Sequence, residues 1–270
     1  MQAHESLPSM EDNTLLFMVD GTVLNIGGAL REDRNNRDIR AEMSPSIGQI
    51  MGLLGHVIII GCGGTGWHTA QLIALSNLAS SISLIDGDIL EESNLNRIPS
   101  VYAMLGQPKV TALAAEIARV RPSLAVIPYN AWLPIEPEDV ANCLAPIAGQ
   151  MSSTIIDCTD NPILQNNIVR AIEILNARLD EDIRHVRISY DGASHLTIKH
   201  HSTSRILDEQ AGRYTDTPSW ALPAQLAAIL GVYSLLRHYF SHMSSVKELL
   251  PVAAIDDEYG GVLTPKKNRR

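Results

Sequence analysis

The stretch VIIIGCGGTG at residues 57–66 decides the fold. Four consecutive apolar residues that end in glycine are typical of a strand buried on both faces of a parallel sheet. The glycine-rich turn predicts an immediate change into a helix, which we expect to run to about Leu78. A strand, such a turn and a helix in this order are the context in which backbone amides and a helix N-terminus bind a phosphate.

Strands and helices are predicted to alternate after this turn. Further strands are expected at 82–85, 125–129, 154–158, 186–190 and 195–199, and further helices at 109–120, 138–144, 162–178 and 220–240. Asn161 followed by Pro162 has the pattern of an N-cap with proline at the first helical position. The alternation predicts an α/β, Rossmann-like fold with a mainly parallel sheet flanked by helices.

The N-terminal region follows a different pattern. Two apolar runs, residues 15–19 and 22–26, flank Asp20-Gly21, and Asp-Gly is typical of a tight hairpin turn. We therefore expect residues 1–30 to be an extension with a short hairpin. Residues 31–245 are expected to be one α/β domain, and residues 246–270 a C-terminal tail.

Composition limits the partners of the chain. The 270 residues are 45% hydrophobic and 19% charged, which is a globular composition. A net charge of −9 and 4% aromatic residues argue against nucleic-acid binding, which needs surplus cations and stacking rings. Residues 217–236 carry no charge, but Pro223, Gln225 and Gly231 favour a buried helix over a membrane span. We expect no membrane partner and, without a visible signal peptide, a cytoplasmic location.

The three cysteines, Cys62, Cys143 and Cys158, contain no CxxC pair. The sequence therefore predicts neither a structural zinc site nor a disulfide-stabilised secreted domain. We expect Cys62 and Cys158 to be small core residues, and Cys143 to pack within a short helix. The His200-His201 pair lacks a third ligand at a familiar spacing, which favours a surface pair over a metal site.

Asp86 closes the second predicted strand of the alternating region, 20 residues after Gly66. A carboxylate at this place accepts hydrogen bonds from ribose hydroxyls in dinucleotide-binding folds. The glycine motif and Asp86 together indicate an adenine nucleotide, and at this point NAD and ATP are both open.

The residues that follow favour a triphosphate. Asn94 and Arg97 follow the second strand, Lys109 begins a helix, and Asp160 follows the fourth strand. Arginine and lysine would neutralise charge on phosphoryl oxygens, and a single carboxylate suits Mg²⁺ that is also bound by phosphates. Each residue has a structural alternative: Arg97 on the surface, Lys109 in an exposed first helical turn, and Asp160 as a helix cap.

With these motifs the sequence resembles the ThiF-type adenylyltransferases, from about Arg34 to Tyr239. The family includes molybdopterin-synthase and thiamine-pathway adenylyltransferases and the adenylation domains of ubiquitin-activating enzymes. Its R-x-x-R-x-I run is matched by residues 34–39, and Arg34 lies 27 residues before Gly61. The resemblance implies ATP and Mg²⁺ as cofactors and a dimer, expected to be a homodimer, in which Arg34 reaches the partner subunit's nucleotide.

The resemblance also implies a role for each motif residue. Asp86 would bind the ribose, Asp160 would position Mg²⁺, and a substrate carboxylate would attack the α-phosphate of ATP. The expected substrate is the C-terminus of a ubiquitin-like protein or a peptide. The nucleotide loop would comprise Gly61, Gly63, Gly64 and Gly66, and the phosphates would be contacted by Asn94, Arg97 and Lys109.

Two departures from the family pattern bear on which activity the sequence predicts. Ile98 stands where the family often has glutamine, and no cysteine follows Cys158. A thioester-forming cysteine after the sheet is thus absent from the sequence, which favours adenylation alone. Three alternatives stay open: a non-catalytic ThiF-type scaffold subunit, an NAD-dependent oxidoreductase, and a dehydratase-type enzyme acting on modified tRNA, which the net charge disfavours.

Overall fold

The computed structural model describes residues 16–19, 22–25, 49–149, 152–190, 196–201, 220–244 and 246. Contacts divide the chain into two units, residues 1–49 and residues 50–270. In the first unit, β1 (Leu16–Val19) and β2 (Thr22–Asn25) pair antiparallel, with Val19 opposite Thr22. The predicted hairpin is confirmed, while the predicted boundaries at residues 30 and 245 stay predictions.

The second unit contains a six-stranded sheet in the order β5-β4-β3-β6-β7-β8. All neighbouring strands pair parallel except β7 and β8, which pair antiparallel. The mainly parallel, Rossmann-like sheet is therefore confirmed. The strands are β3 (His56–Ile60), β4 (Ser81–Ile85), β5 (Ala125–Tyr129), β6 (Ser153–Asp157), β7 (Arg184–Tyr190) and β8 (Leu196–His200).

Five α-helices of the described residues accompany this sheet. They are α1 (Gly64–Leu75), α2 (Lys109–Val120), α3 (Pro137–Ala148), α4 (Pro162–Leu179) and α5 (Ala221–Phe240). Asn161 caps α4, because its side-chain oxygen accepts hydrogen bonds from the amides of Ile163 and Leu164. This confirms the predicted N-cap.

Two hydrophobic cores lie on the two faces of the sheet, as the alternation within β3 shows. Val57 and Ile59 pack in one core with residues of α1, α2 and α5, and Ile58 and Ile60 pack in the other with α3 and α4. A strand with helices on both faces buries every side chain, which explains its uninterrupted apolar run. This is the three-layer arrangement that an α/β sequence builds.

Some predicted helix ends differ from the observed ones. Helix α1 ends at Leu75, before Asn77 takes a positive φ of 53°. Helix α3 is longer than predicted, because Pro137 starts it and Ala148 extends its buried side.

Helix α5 packs against α1, β7 and β8, so the prediction of a buried helix is confirmed for one side. Its other side exposes Trp220, Leu222, Leu226 and Ile229 at the start and middle of the helix. None of the helices in the described ranges has the length and hydropathy that crossing a membrane requires.

Candidate active site

A cavity of about 570 Å³ opens at the carboxyl ends of β3, β4 and β6. The strand order reverses here, because β4 and β5 continue on one side of β3, and β6 to β8 on the other. Ligands of open α/β sheets bind at such a switch point. Seven of the predicted site residues line the cavity: Gly61, Gly63, Gly64, Asp86, Arg97, Lys109 and Asp160.

The turn between β3 and α1 depends on two glycines. Gly61 has a φ of +86°, and a Cβ there would lie 2.9 Å from the carbonyl oxygen of Cys158. A Cβ on Gly66 would lie 1.8 Å from the carbonyl oxygen of Gly61, so no larger residue fits. Gly66 is not among the cavity-lining residues, and its contribution is to let the helix approach the strand.

The other two glycines face the cavity. Around Gly63, which is the N-cap of α1, a Cβ would meet nothing within 4 Å, so this part of the loop leaves open space. A Cβ on Gly64 would lie 3.1 Å from Cγ of Arg97, so the arginine stem packs directly on the helix N-terminus. An anion here would meet both the guanidinium and the positive end of α1.

Asp86 is buried and joins the glycine loop to the end of β4. Its Oδ2 accepts a hydrogen bond of 2.6 Å from the amide of Cys62, and its Oδ1 accepts one of 2.8 Å from the amide of Asp88. These amides hold the carboxylate at the cavity wall. The sequence predicts that this carboxylate binds a ribose.

Lys109 forms an ion pair across the cavity wall. Its Nζ lies 2.7 Å from Oδ2 of Asp88, and its side chain is 9% exposed against 48% for Asp88. The Lys109 amide also donates to the Asp88 carbonyl at 2.9 Å. Lys109 is therefore a buried cation facing the cavity, and the alternative of an exposed first-turn lysine is wrong. Asp88 was not assigned a role from the sequence.

Arg97 is held from two sides. Its Nη1 donates to the Ser93 carbonyl at 3.1 Å and to Oδ1 of Asn96 at 2.9 Å. Nε2 of His68 donates to the Arg97 carbonyl at 3.0 Å, and burial lowers the pKa of His68, which favours this neutral form. His68 was not assigned a role from the sequence, and the structure adds this contact beside the cavity.

Asn94 is buried in the turn before Arg97. Its Oδ1 accepts from the amide of Glu91 at 3.1 Å, and Glu91 in turn caps the short 3-10 helix Glu92–Asn94. It is not among the residues that line the cavity. Its role at a phosphate stays a prediction, and its observed role is to shape the turn.

Asp160 is exposed at the mouth of the cavity, in the loop between β6 and α4. Asn161, not Asp160, caps α4, so the capping alternative for Asp160 is wrong. The carboxylate thus lies at the carboxyl end of a buried strand, where metal-bound phosphates would lie.

The donor set of the cavity fits magnesium. Mg²⁺ in phosphate-transfer sites uses one or two carboxylates and completes its coordination with phosphates and water. Asp160 supplies such a carboxylate, and the described part of the chain contains no group of three or more His, Cys, Asp or Glu arranged for a metal.

Two groups beside the cavity were missed in the sequence. Trp132 lies over Gly87, where an added Cβ would be 2.5 Å from its Nε1, and it lines the cavity although it is 70% exposed. Arg187 lies within β7 and pairs with Asp157 beneath the Asp160 loop. An arginine between Val186 and Ile188 in a predicted strand was the available signal for Arg187.

The cysteines differ in their surroundings. Cys62 is buried, and burial raises the pKa of its thiol well above the usual range; burial raises that of Cys158 too. Cys143 is exposed, so the expectation that it packs is wrong. Its helix α3 buries Val140, Ala141 and Leu144, and Cys143 lies outside this buried set.

The prediction of a surface His200-His201 pair is wrong for His200. Its ring stacks on that of His238 with centroids 4.1 Å apart, and its Nε2 shares a hydrogen bond with Ser234 at 2.8 Å. His201 is exposed and lies edge-on to the buried ring of His185. Arg34, the remaining predicted site residue, lies outside the described residues.

Comparisons with known proteins find similarity over the part of the chain that contains this cavity. Residues 48–178 match the ThiF family. The molybdopterin-synthase adenylyltransferase of Escherichia coli is 34% identical over 114 residues, which cover 42% of this chain and 42% of that enzyme. The chain therefore matches less than half the length of this relative.

Solved structures share the fold. E. coli MccB with ATP has a TM-score of 0.54 at 17% identity, covering 71% of this chain and 57% of MccB. E. coli MccB with MccA has a TM-score of 0.55 at 17% identity, covering 77% of this chain and 63% of MccB. The segment that matches the family contains every predicted site residue except Arg34. Through residues 48–178, the chain is therefore similar to the ThiF family.

Proposed function

We propose that the protein is an ATP-dependent adenylyltransferase that activates a carboxylate as an acyl-adenylate. The observation that carries the proposal is one cavity that combines two cations, Arg97 and Lys109, with the carboxylate of Asp160. Adenylyltransferases among the relatives and an ATP complex of MccB support the same chemistry.

In the proposed reaction, a carboxylate oxygen of the substrate attacks the α-phosphorus of ATP. A bond forms between that oxygen and phosphorus, and the bond from the α-phosphorus to the bridging oxygen breaks, releasing pyrophosphate. Asp86 binds the ribose, while Arg97 and Lys109 neutralise charge on the phosphates. Asp160 would hold Mg²⁺, which shields the charge of the triphosphate. Positioning performs most of the catalysis, and no protein nucleophile is needed.

Trp132 gives the proposed site a place for the base. Its ring covers Gly87 next to the ribose carboxylate Asp86, on the side of β4 and β5. An exposed aromatic ring gains from stacking on a flat base, and such contacts are worth about 1–3 kcal/mol in nucleic-acid complexes.

The proposed substrate is the C-terminal carboxylate of a ubiquitin-like protein or a peptide. One relative is named a molybdopterin-synthase adenylyltransferase, and one of the MccB structures is a complex with MccA. We also keep Asn94 as a phosphate contact and a homodimer in which Arg34 reaches the neighbouring site. ATP as co-substrate agrees with a cytoplasmic location.

Pyrophosphate exchange into ATP, dependent on an added carboxylate substrate, tests the proposal. Wild-type protein should exchange, and Asp160→Ala should abolish exchange while the fold is retained. Glu173→Ala removes an exposed carboxylate from α4 and should exchange normally. Exchange by folded Asp160→Ala at the wild-type rate would contradict the Mg²⁺ role.

Thermal shifts with ATP·Mg²⁺ and with NAD separate the rival classes. The proposal predicts a rise in melting temperature with ATP·Mg²⁺ and a smaller one, or none, with NAD. A shift with NAD alone would favour an oxidoreductase, which needs neither Lys109 nor Asp160. No shift with either nucleotide would favour a non-catalytic scaffold.

A further inference from the structure

A buried ion pair lies directly beneath the loop that carries Asp160. Asp157 is the last residue of β6 and Arg187 lies opposite it in β7. Nε of Arg187 is 3.3 Å from Oδ2 of Asp157, and the two side chains are 2% and 0% exposed. Burial raises the pKa of the Asp157 carboxyl, and the neighbouring guanidinium opposes this by favouring the charged form.

Further contacts of the pair lead to Thr159. Oδ1 of Asp157 accepts hydrogen bonds from the Thr159 amide at 3.0 Å and from its hydroxyl at 2.7 Å. Nη2 of Arg187 donates to the Gln165 carbonyl at 2.6 Å, and the side-chain amide of Gln165 donates to the Thr159 carbonyl. Thr159 is therefore held through its amide, its hydroxyl and its carbonyl.

Asp160 directly follows Thr159 in the sequence, but its own side chain is not held by any of the described residues. Its side chain is exposed at the cavity, and no described residue forms a hydrogen bond or ion pair with its carboxylate. The backbone that Thr159 fixes is thus what directs the Asp160 carboxylate.

Stability alone does not account for the pair. Desolvating two charges is costly, and well-packed apolar residues in place of a buried ion pair are often as stable or more stable. Val186 and Ile188, the chain neighbours of Arg187 in β7, are buried apolar residues. A charged pair supplies what apolar residues cannot, namely directed hydrogen bonds to a loop.

We propose that Arg187 is a positioning residue that, through Asp157 and Gln165, fixes the Thr159 peptide and so directs Asp160 at a nucleotide-bound divalent cation. The proposal rests on the function proposed above, because it assigns Asp160 to the metal. It adds a buried ion pair, which contacts neither substrate nor metal, to the residues of the cavity wall that take part in that function.

The test compares Arg187→Met, Arg187→Lys and the double variant Asp157→Asn/Arg187→Met with wild type. The matched control is Arg178→Met, which removes an exposed ion pair with Glu138 on the outer side of α3 and α4. Three measurements are made: Mn²⁺ binding by electron paramagnetic resonance with a non-hydrolysable ATP analogue, binding of that analogue without metal, and amide hydrogen exchange of residues 158–165.

Arg187→Met should weaken Mn²⁺ binding by about 10- to 100-fold, the range seen when groups that orient metal ligands are removed. Analogue binding without metal should stay near wild type, and exchange of the Thr159 and Asp160 amides should accelerate. Arg187→Lys should be intermediate, because an ammonium cannot contact Asp157 and Gln165 with a planar fork. Arg178→Met should change none of these values.

The double variant separates positioning from folding. It leaves no unpaired buried carboxylate, so its stability should recover relative to Arg187→Met, while Mn²⁺ binding should stay weak. Recovery of both, or wild-type Mn²⁺ binding in folded Arg187→Met, would overturn the proposal and leave the pair a structural one. Wild-type protein that binds Mn²⁺ with the analogue but activates no carboxylate would contradict the proposed function alone. Wild-type protein without metal binding would contradict both.

Discussion

Lys109 and Asp88 are joined twice, by an ion pair of 2.7 Å between their side chains and by a hydrogen bond of 2.9 Å between their backbones. The backbone bond fixes the start of α2, and the ion pair keeps a cation at the cavity wall without a ligand. Because Asp88 is half exposed, solvent screens it more than the buried lysine. A triphosphate would therefore compete with Asp88 for a cation that is already in place.

Replacing that cation should remove activity without unfolding the protein. We expect Lys109→Met to lower the rate of ATP–pyrophosphate exchange by about 10²- to 10³-fold, as for other groups that stabilise developing charge. The measurement is exchange at saturating ATP, with circular dichroism to confirm the fold. Arg119→Met removes an exposed cation from the same helix and should have little effect. A Lys109→Met rate within a few-fold of wild type would exclude the phosphate role.

Removing all three thiols should leave adenylation in place. Cys62 and Cys158 hold protonated thiols because burial raises their pKa, and Cys143 lies outside the cavity lining. Acyl-adenylate formation by Cys62→Ala, Cys143→Ala and Cys158→Ala, singly and together, is the measurement, with stability recorded separately. Loss of activity in folded Cys143→Ala alone would make that thiol an acyl acceptor and contradict adenylation alone.

Arg34 should act on the nucleotide of the partner subunit. An arginine delivered by a neighbouring chain accelerates phosphoryl transfer by about 10³-fold or more, so Arg34→Ala should be nearly inactive. Mixing it with Asp160→Ala gives mixed dimers with one intact and one doubly damaged site. Activity should recover to at most about a quarter of wild type, because half of the dimers are mixed. No recovery after proven subunit exchange would place Arg34 in its own site or in none.

Acid should destabilise the fold through two histidines of β7 and β8. Burial lowers the pKa of His185 to about 3 and that of His200 to about 4. In the unfolded chain these rings protonate near pH 6.5, so between that pH and the folded values only the unfolded state binds the protons. The free energy of unfolding therefore falls as the pH falls through this window, by at most about 1.4 kcal/mol per pH unit for each histidine.

Urea denaturation between about pH 7 and about pH 4.5 measures this slope. His185→Leu should show a shallower fall than wild type, whatever its stability at neutral pH. His242→Ala removes an exposed histidine and should keep the wild-type slope. Equal slopes in wild type and His185→Leu would show that other groups cause the acid sensitivity.

The central elements were predictable because a few residues that are neighbours in the sequence indicate each of them. The apolar run of β3, the glycine turn and the Asn161 cap each depend on a few neighbouring residues, and the structure confirms all three elements. The bounds of α2 and β5 match the prediction as well. Cavity residues at strand ends were predictable for a related reason, since parallel strands bring their carboxyl ends to one edge.

The missed features depend on residues that are distant in the sequence. Arg187 and Asp157 are 30 residues apart, and their pairing follows from the β6–β7 register, which no short motif encodes. Trp132 reaches the cavity because a loop after β5 turns back over Gly87. Cys143 was placed wrongly because the short helix predicted around it gave too few positions to identify the buried side.

The fit between Gly61 and Gly66 bears on how active members of such a family are recognised in genomes. The carbonyl oxygen of Gly61 lies where a Cβ on Gly66 would be, and this contact is made within the chain, without a nucleotide. Purifying selection would thus retain both glycines in a descendant that had lost catalysis and served only as a binding subunit. The glycine signature reports ancestry and foldability, and pseudoenzymes are to be sought by the loss of Arg97, Lys109 or Asp160.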